Sequence, residues 1–225
     1  MCGIGGLNAS QAKEAHDQNL KDLGLDYVDH LMTHFPSDWN ETNTGAKARQ
    51  EEWLALEEIY YKGEARTIGI SHYCTTHIMD IMLIATVTPA INQVEYHIGS
   101  QDIDNVITTC NTLGITFMSF SPLCGPCTYD PKDSLIDGDL VTDIANQYIH
   151  EDKTIVTGSQ VALRFIIQQG IPVIPKSNSM SHVIANKQIF DFELSKEHMD
   201  RLLRATLPSA ESGDCDVVEW SKLVS

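Results

Sequence analysis

A chain of 225 residues, 42% of them apolar, can bury one substantial core without a disulfide scaffold. Its 31 acidic residues outnumber 15 basic ones, for a formal net charge of −16 at pH 7. Cations scattered singly under that balance exclude a nucleic-acid face or an anionic membrane surface, both of which need clustered positive charge. A small anionic ligand stays open, because one Lys beside a helix N-terminus suffices to hold it.

Taken in chain order, Met1–Leu7 has neither the basic start nor the apolar length of a secretory signal, which leads to the expectation of a cytoplasmic protein. A helix is expected from Ser10 to Leu23, ending at Gly24. Five short apolar, β-branched or aromatic runs then recur: YVDHLMTHF (27–35), RTIGIS (66–71), AINQVEY (90–96), ITFMSF (115–120) and PVIP (172–175). Between them lie stripes of helical period: Trp53, Leu54, Leu56, Ile59 and Tyr60; Ile78, Ile81, Met82 and Ala85; Ile103, Val106, Ile107 and Cys110; Val161, Ala162, Phe165 and Ile166. Gly24, Gly63, Gly114 and Gly170 each stand just before a strand, where a left-handed C-cap belongs. The most apolar stretch, Ile78 to Ile91, contains Asp80 and Pro89 and is too short to span a bilayer.

Strands alternating with helices, with runs buried on both faces, predict parallel strands in an α/β fold. No Gly-x-Gly-x-x-Gly follows a strand, so the open dinucleotide fold lacks its fingerprint. A closed barrel instead gathers polar groups at the C-terminal ends of its strands. Those ends read His34; Ser71-His72; Gln93 with Glu95; Ser119-Phe120-Ser121; and Lys176-Ser177. The pattern favours a barrel.

The six cysteines read as cytosolic thiols, without the spacing of a zinc site. Cys124-Gly125-Pro126-Cys127 spells a dithiol motif, but a redox Cys-x-x-Cys needs a helix that starts at the motif. The chain continues Thr128-Tyr129-Asp130-Pro131, which is turn chemistry. The context points to a loop.

The same strand ends carry a family resemblance. LGLDYVDHLMTHFP (23–36), ARTIGISHY (65–73), INQVEYH (91–97), SFSPL (119–123) and IPVIPKSNSMSHVIANKQIFDFELS (171–195) resemble, in unbroken order, the segments of aldo-keto reductases. These are (β/α)8 barrels that reduce carbonyls with NADPH. The resemblance implies a partial TIM barrel with about five of eight strands, the family's fourth to eighth, over residues 1–207, and a C-terminal tail over 208–225. It implies a small-molecule carbonyl substrate and NADP(H), with NAD(H) as the alternative.

By resemblance, His34 matches the histidine that hydrogen-bonds the substrate carbonyl. Ser71 and Gln93 match the groups that hold the nicotinamide carboxamide, and His72 stands where the family has Asn. Phe120 takes the place of a Tyr stacked on the nicotinamide. Ser121 and Leu123 match positions along the pyrophosphate. Lys176, Ser177 and Asn178 fall in the phosphate-binding segment, Lys176 and Ser177 on the 2′-phosphate side. His182 replaces the family's Arg for that phosphate, Ala185 replaces a Glu, and Asn186 matches the Asn that reads adenine. A neutral imidazole lacks the guanidinium fork, which implies a diluted NADP preference.

The family's catalytic Asp, Tyr and Lys come from its first three strands, and no segment here matches those strands. Tyr73 and Tyr96 lie near strand ends but lack a sequence-adjacent Lys that would lower a phenol pKa. Three readings follow. The first is an N-terminally truncated oxidoreductase with impaired carbonyl reduction. The second is a non-catalytic cofactor-binding or interaction protein, with a partner or a second copy covering the open barrel edge. The third is a dithiol oxidoreductase acting through Cys124 and Cys127.

Overall fold

A computed structural model describes residues 8–37, 45–102, 104–125, 130–151 and 153–209. Among them, helix α1 (Ala9–Leu23) starts where Asn8 accepts from the Gln11 N–H while the Gln11 side chain accepts from the Asn8 N–H. This reciprocal box satisfies two donors that a helix start otherwise leaves unpaired. Strand β1 (Val28–Met32) follows, then α2 (Gly45–Tyr61), β2 (Ala65–Ser71), α3 (Thr75–Met82), β3 (Ile91–Glu95), α4 (Val106–Leu113) and β4 (Thr116–Phe120). The later elements are α5 (Asp139–Ala145), α6 (Gly158–Gln168), α7 (Met180–Lys187) and α8 (Lys196–Leu203). No helix among the described residues is long and apolar enough to cross a membrane.

The four strands form one sheet in the order β1-β2-β3-β4, with parallel pairing. Leu31 lies opposite Ile68, Met32 opposite Gly69, and Ser71 opposite Gln93. Gly69 is required by crowding: a Cβ there would stand 2.7 Å from the His30 ring and 2.8 Å from the Ile91 carbonyl oxygen. The four glycines expected as helix stops all adopt positive φ. The fifth expected strand is reduced to a single parallel bridge between Ser119 and Val173. Pro172 and Pro175 flank that point, and proline has no N–H to extend a ladder.

By compactness the chain divides into two units. Among the described residues, the first comprises those between 8 and 94 and between 102 and 117; the second comprises those between 95 and 101 and between 118 and 209. In the first, Trp53, Leu56, Ile59, Ile68, Ile70, Ile78 and Ile81 are buried, so the predicted stripes of α2 and α3 do face a core. Leu54 is exposed, because it falls off the buried arc of α2. In the second unit, Val161, Ala162, Phe165 and Ile166 of α6 are buried together with Val141, Ile144 and Leu194.

The first unit also buries charge. The Arg49 guanidinium, 1% exposed, donates from Nε and Nη2 to Asp80 Oδ2 at 3.0 and 2.7 Å, and from Nη1 to the Ser37 carbonyl at 3.0 Å. Ser37 Oγ in turn donates to Glu52 Oε2 at 2.5 Å. Nearby, Glu57 Oε1 accepts from the Trp53 indole and from the N–H groups of Thr86 and Val87. These bonds tie α2 to α3 and to the loop after it. Removing one partner of such a buried pair leaves an uncompensated charge, at a cost of about 3–5 kcal/mol.

His77 of α3 lies beside this network. Its pKa is pushed down to about 4, first by desolvation and then by the Arg49 cation, against the opposing pull of Asp80 and Asp104. The unfolded chain takes up that proton near 6.5, so protonation favours unfolding. Stability from neutral His77 is therefore complete above about pH 6.5 and is lost as pH falls towards 4. Between pH 7 and 5 the loss should be about 2 kcal/mol, at 1.36 kcal/mol per pKa unit. Urea denaturation at both pH values, for the wild type and His77→Leu, checks this. The variant should show the smaller drop, and an equal drop would contradict the assignment.

Candidate functional site

In the first unit the C-terminal ends of β1, β2 and β3 bring together His34, Ser71, His72 and Gln93. Parallel register does this: Ser71 pairs with Gln93, and the next N–H, that of His72, donates to the Gln93 carbonyl at 2.9 Å. The Ser71 hydroxyl donates to that same carbonyl at 2.9 Å. Its lone pair then faces His72 Nδ1 at 3.0 Å, and the His34 carbonyl lies 2.9 Å from the same nitrogen. Because a carbonyl can only accept, the hydrogen of the His72 ring sits on Nδ1. His72 thereby clips the end of β2 to the chain just past β1.

His72 holds φ at +61°, a region that Asn enters more readily than most residues. His34 is exposed at the mouth of β1, with its ring against Phe35 (centroids 4.1 Å apart) and edge-on to His72 at 6.0 Å. Partial desolvation lowers its pKa from 6.5, which keeps the imidazole neutral near pH 7. A neutral imidazole N–H on an open strand end can donate to a carbonyl oxygen. Ser71 itself is fully buried.

The sequence did not single out His30, which sits on β1 above Gly69. Thr67 Oγ1 donates to the Asp29 carbonyl and so accepts from His30 Nδ1, at 2.8 Å each. Burial lowers the His30 pKa. The signal available in the sequence was the bare Gly69 in a strand interior, which marks close approach by a neighbour.

In the second unit the end of β4 meets the 172–174 segment. Ser119 N–H donates to the Pro172 carbonyl at 2.8 Å, and Ile174 N–H to the Ser119 carbonyl at 3.1 Å. Ser119 Oγ donates to the Tyr96 carbonyl at 2.6 Å. Phe120 and Ser121 follow, Ser121 with φ +47°, and the chain turns so that Cys124 N–H donates to the Ser121 carbonyl at 2.8 Å. Phe120, Ser121 and Leu123 are half-buried at this turn.

The 172–174 segment delivers Lys176, which is exposed, and Ser177, whose Oγ exchanges hydrogen bonds with the backbone of Ser179. Helix α7 begins directly afterwards, with Asn178 ahead of it, His182 exposed on its first turn and Asn186 half-buried near its end. Gln160 Nε2 donates to the Ala185 carbonyl at 2.9 Å and docks α7 on α6. An exposed Lys, a serine and a helix N-terminus within a few residues suit a phosphate.

Neither alternative proton donor fits. Tyr73 is 1% exposed, and burial followed by the Glu52 charge pushes its phenol well above the ordinary tyrosine range. The Tyr96 hydroxyl, on a side chain 6% exposed, donates to Gln169 Oε1 at 3.1 Å. The thiol reading also needs correction. Cys74 and Cys124 are each in a disulfide, while Cys110 is free, buried, and pushed up to about 11 by desolvation. The other half of the dithiol motif, Cys127, lies outside the described residues.

Comparison with known proteins agrees with the strand-end pattern. The sequence model of the aldo/keto reductase family matches residues 4–206. The chain belongs to that family. It is 33% identical to the uncharacterized oxidoreductase YtbE of Bacillus subtilis over 196 residues, covering 87% of this chain and 62% of that protein. It is 33% identical to the glyoxal reductase of the same organism over 190 residues, covering 84% and 60%. Among solved structures, an aldo-keto reductase from a Medee basin deep-sea metagenome superimposes with a TM-score of 0.75 at 29% identity, covering 94% of this chain and 71% of that one. The aldose reductase of Schistosoma japonicum gives 0.72 at 25% identity, with 88% and 65% covered. The chain thus spans about three fifths of the length of these two Bacillus relatives, 62% and 60%.

Proposed function

We propose that this chain is an aldo-keto reductase-type oxidoreductase that binds NADP(H), with NAD(H) as the weaker ligand, and serves aldehyde or ketone reduction. The observation that carries the reading is the exposed, neutral His34 at a strand end, inside a family match that runs over residues 4–206. The bound cofactor would supply hydride. His34 would donate an N–H to the carbonyl oxygen and stabilise the charge that develops there. Gln93 would orient the nicotinamide carboxamide, with Ser71, buried and bonded to the Gln93 carbonyl, and His72 fixing its strand end from within. Phe120 offers a ring face for stacking, and Ser121 and Leu123 offer backbone at a tight turn for the pyrophosphate.

Lys176, Ser177, Asn178 and the start of α7 would take the 2′-phosphate, with Asn186 towards adenine. In this reading residues 1–207 are a partial TIM barrel of family strands four to eight, 208–225 are a tail, and the protein is cytoplasmic. Its partner is a small carbonyl compound, not nucleic acid or membrane.

A second reading rests on the resemblance: no segment of these 225 residues resembles the strands from which the family takes its Asp, Tyr and Lys. On that reading the chain binds cofactor without turning it over. Strand β1 is outermost in the sheet order, and a partner or a second copy covers its edge. The dithiol activity through Cys124 and Cys127 has only the motif in its favour.

The phosphate assignment makes a selective prediction. His182→Arg should tighten NADPH binding about tenfold, the worth of one charge-assisted phosphate contact. NADH, which lacks the 2′-phosphate, should be unaffected. Quenching of protein fluorescence measures both, and equal gains would remove His182 from that phosphate. Catalysis makes another. The 225-residue polypeptide should consume NADPH with an aldehyde panel at no more than a small fraction of a complete relative's rate. Robust turnover that survives His34→Ala would contradict both the impairment and the role of His34.

A further inference from the structure

The second unit buries a cluster that carbonyl reduction does not use: Glu95, His97 and Cys124, which are 6%, 0% and 0% exposed. One donor atom from each lies within 4.8 Å of the other two. Glu95 ends β3, His97 follows two residues later, and Cys124 closes the turn after β4.

The hydrogen bonding of His97 defines its tautomer. Nδ1 lies 2.8 Å from the Ile98 carbonyl oxygen, which can only accept, so Nδ1 carries the hydrogen. Glu95 Oε1 stands 3.5 Å from Nε2. A proton shared between imidazolium and carboxylate would draw those atoms to about 2.7–2.9 Å. A tetrahedral zinc, with Zn–N and Zn–O near 2.0–2.1 Å, separates them by about 3.3–3.4 Å. The 3.5 Å between these atoms is close to the separation that a shared zinc imposes. An imidazole that donates its other N–H to a backbone carbonyl is also the usual support for a metal-bound histidine.

The third donor is masked, since the Cys124 sulfur is in a disulfide. We propose that Glu95, His97 and Cys124 form a reduction-gated site for zinc or a similar divalent cation. Two equivalents of a low-molecular-weight thiol open the bond. They leave joined as their own disulfide, having given two electrons and two protons to the protein. Cys124 and the cysteine bonded to it become thiols. The incoming cation displaces the Cys124 proton to solvent and is held by one thiolate sulfur, one imidazole nitrogen and one carboxylate oxygen, a donor set suited to zinc. Gly125, next to Cys124 in the chain, is exposed. In a reducing cytoplasm the thiol form, and with it the metal form, is favoured.

Cobalt titration of the full chain under anaerobic conditions tests this, using protein reduced with a phosphine and then desalted. The expected result is one Co2+ per chain, with a thiolate-to-cobalt charge-transfer band that zinc abolishes. Unreduced protein and Cys124→Ser should show no such band, and Glu95→Gln should weaken binding about tenfold or more. The reduced wild type lacking the band, or the band surviving Cys124→Ser, would overturn the proposal, as would an equal band without reduction. Should far-UV circular dichroism show Cys124→Ser unfolded, Glu95→Gln decides: undiminished cobalt affinity there also overturns it.

Discussion

Parallel pairing is the constraint on which the candidate site depends. When strands run the same way, their C-terminal ends fall at one end of the sheet, and the side chains just past the ladder are delivered together. Ser71 opposite Gln93 sets this register, and the His72 N–H continues it by one more bond to the Gln93 carbonyl. A slip by one residue would turn every side chain of β2 to the opposite face and bring a side chain to the point where only Gly69 fits against the His30 ring. That close approach helps to fix where Ser71 and His72 emerge. Core packing and site geometry are one decision here, made by the same strand.

Around that register the chain spends polar groups in two ways. Arg49, Asp80, Ser37 and Glu52 form a buried net between α2 and α3 that supports the helices. His34, Lys176 and His182 are exposed at the ends of elements, with nitrogens placed to meet something outside the fold. The first set holds the scaffold; the second is where chemistry is expected. The Glu95, His97 and Cys124 cluster belongs to neither, being buried like the first and composed like a ligand-binding site.

Much of this was legible in the sequence because it is local. The 3.6-residue stripes of α2, α3 and α6, the helix stops at glycine and four of the five strands each depend on neighbours within a few residues. The placing of His34, Ser71 and Gln93 at or just past strand ends was legible because a strand end is a local position too. What escaped depends on distant partners. Asp80 lies 31 residues from Arg49, so their pairing leaves no local trace. The 172–175 run looked like a strand by its apolar residues, but its two prolines allow only one bridge. His30 was hidden because its partner is the missing side chain of Gly69.

The central claim is that cofactor binding is seated at the C-terminal strand ends and at the start of α7. Backbone hydrogen exchange with and without saturating NADPH tests it most directly, since it reports each segment separately. The account predicts slowed exchange at residues 71–73, 93–95, 119–124 and 176–187, with the buried α2–α3 network unchanged. Protection that is absent from those segments, or confined to α2 and α3, would contradict it.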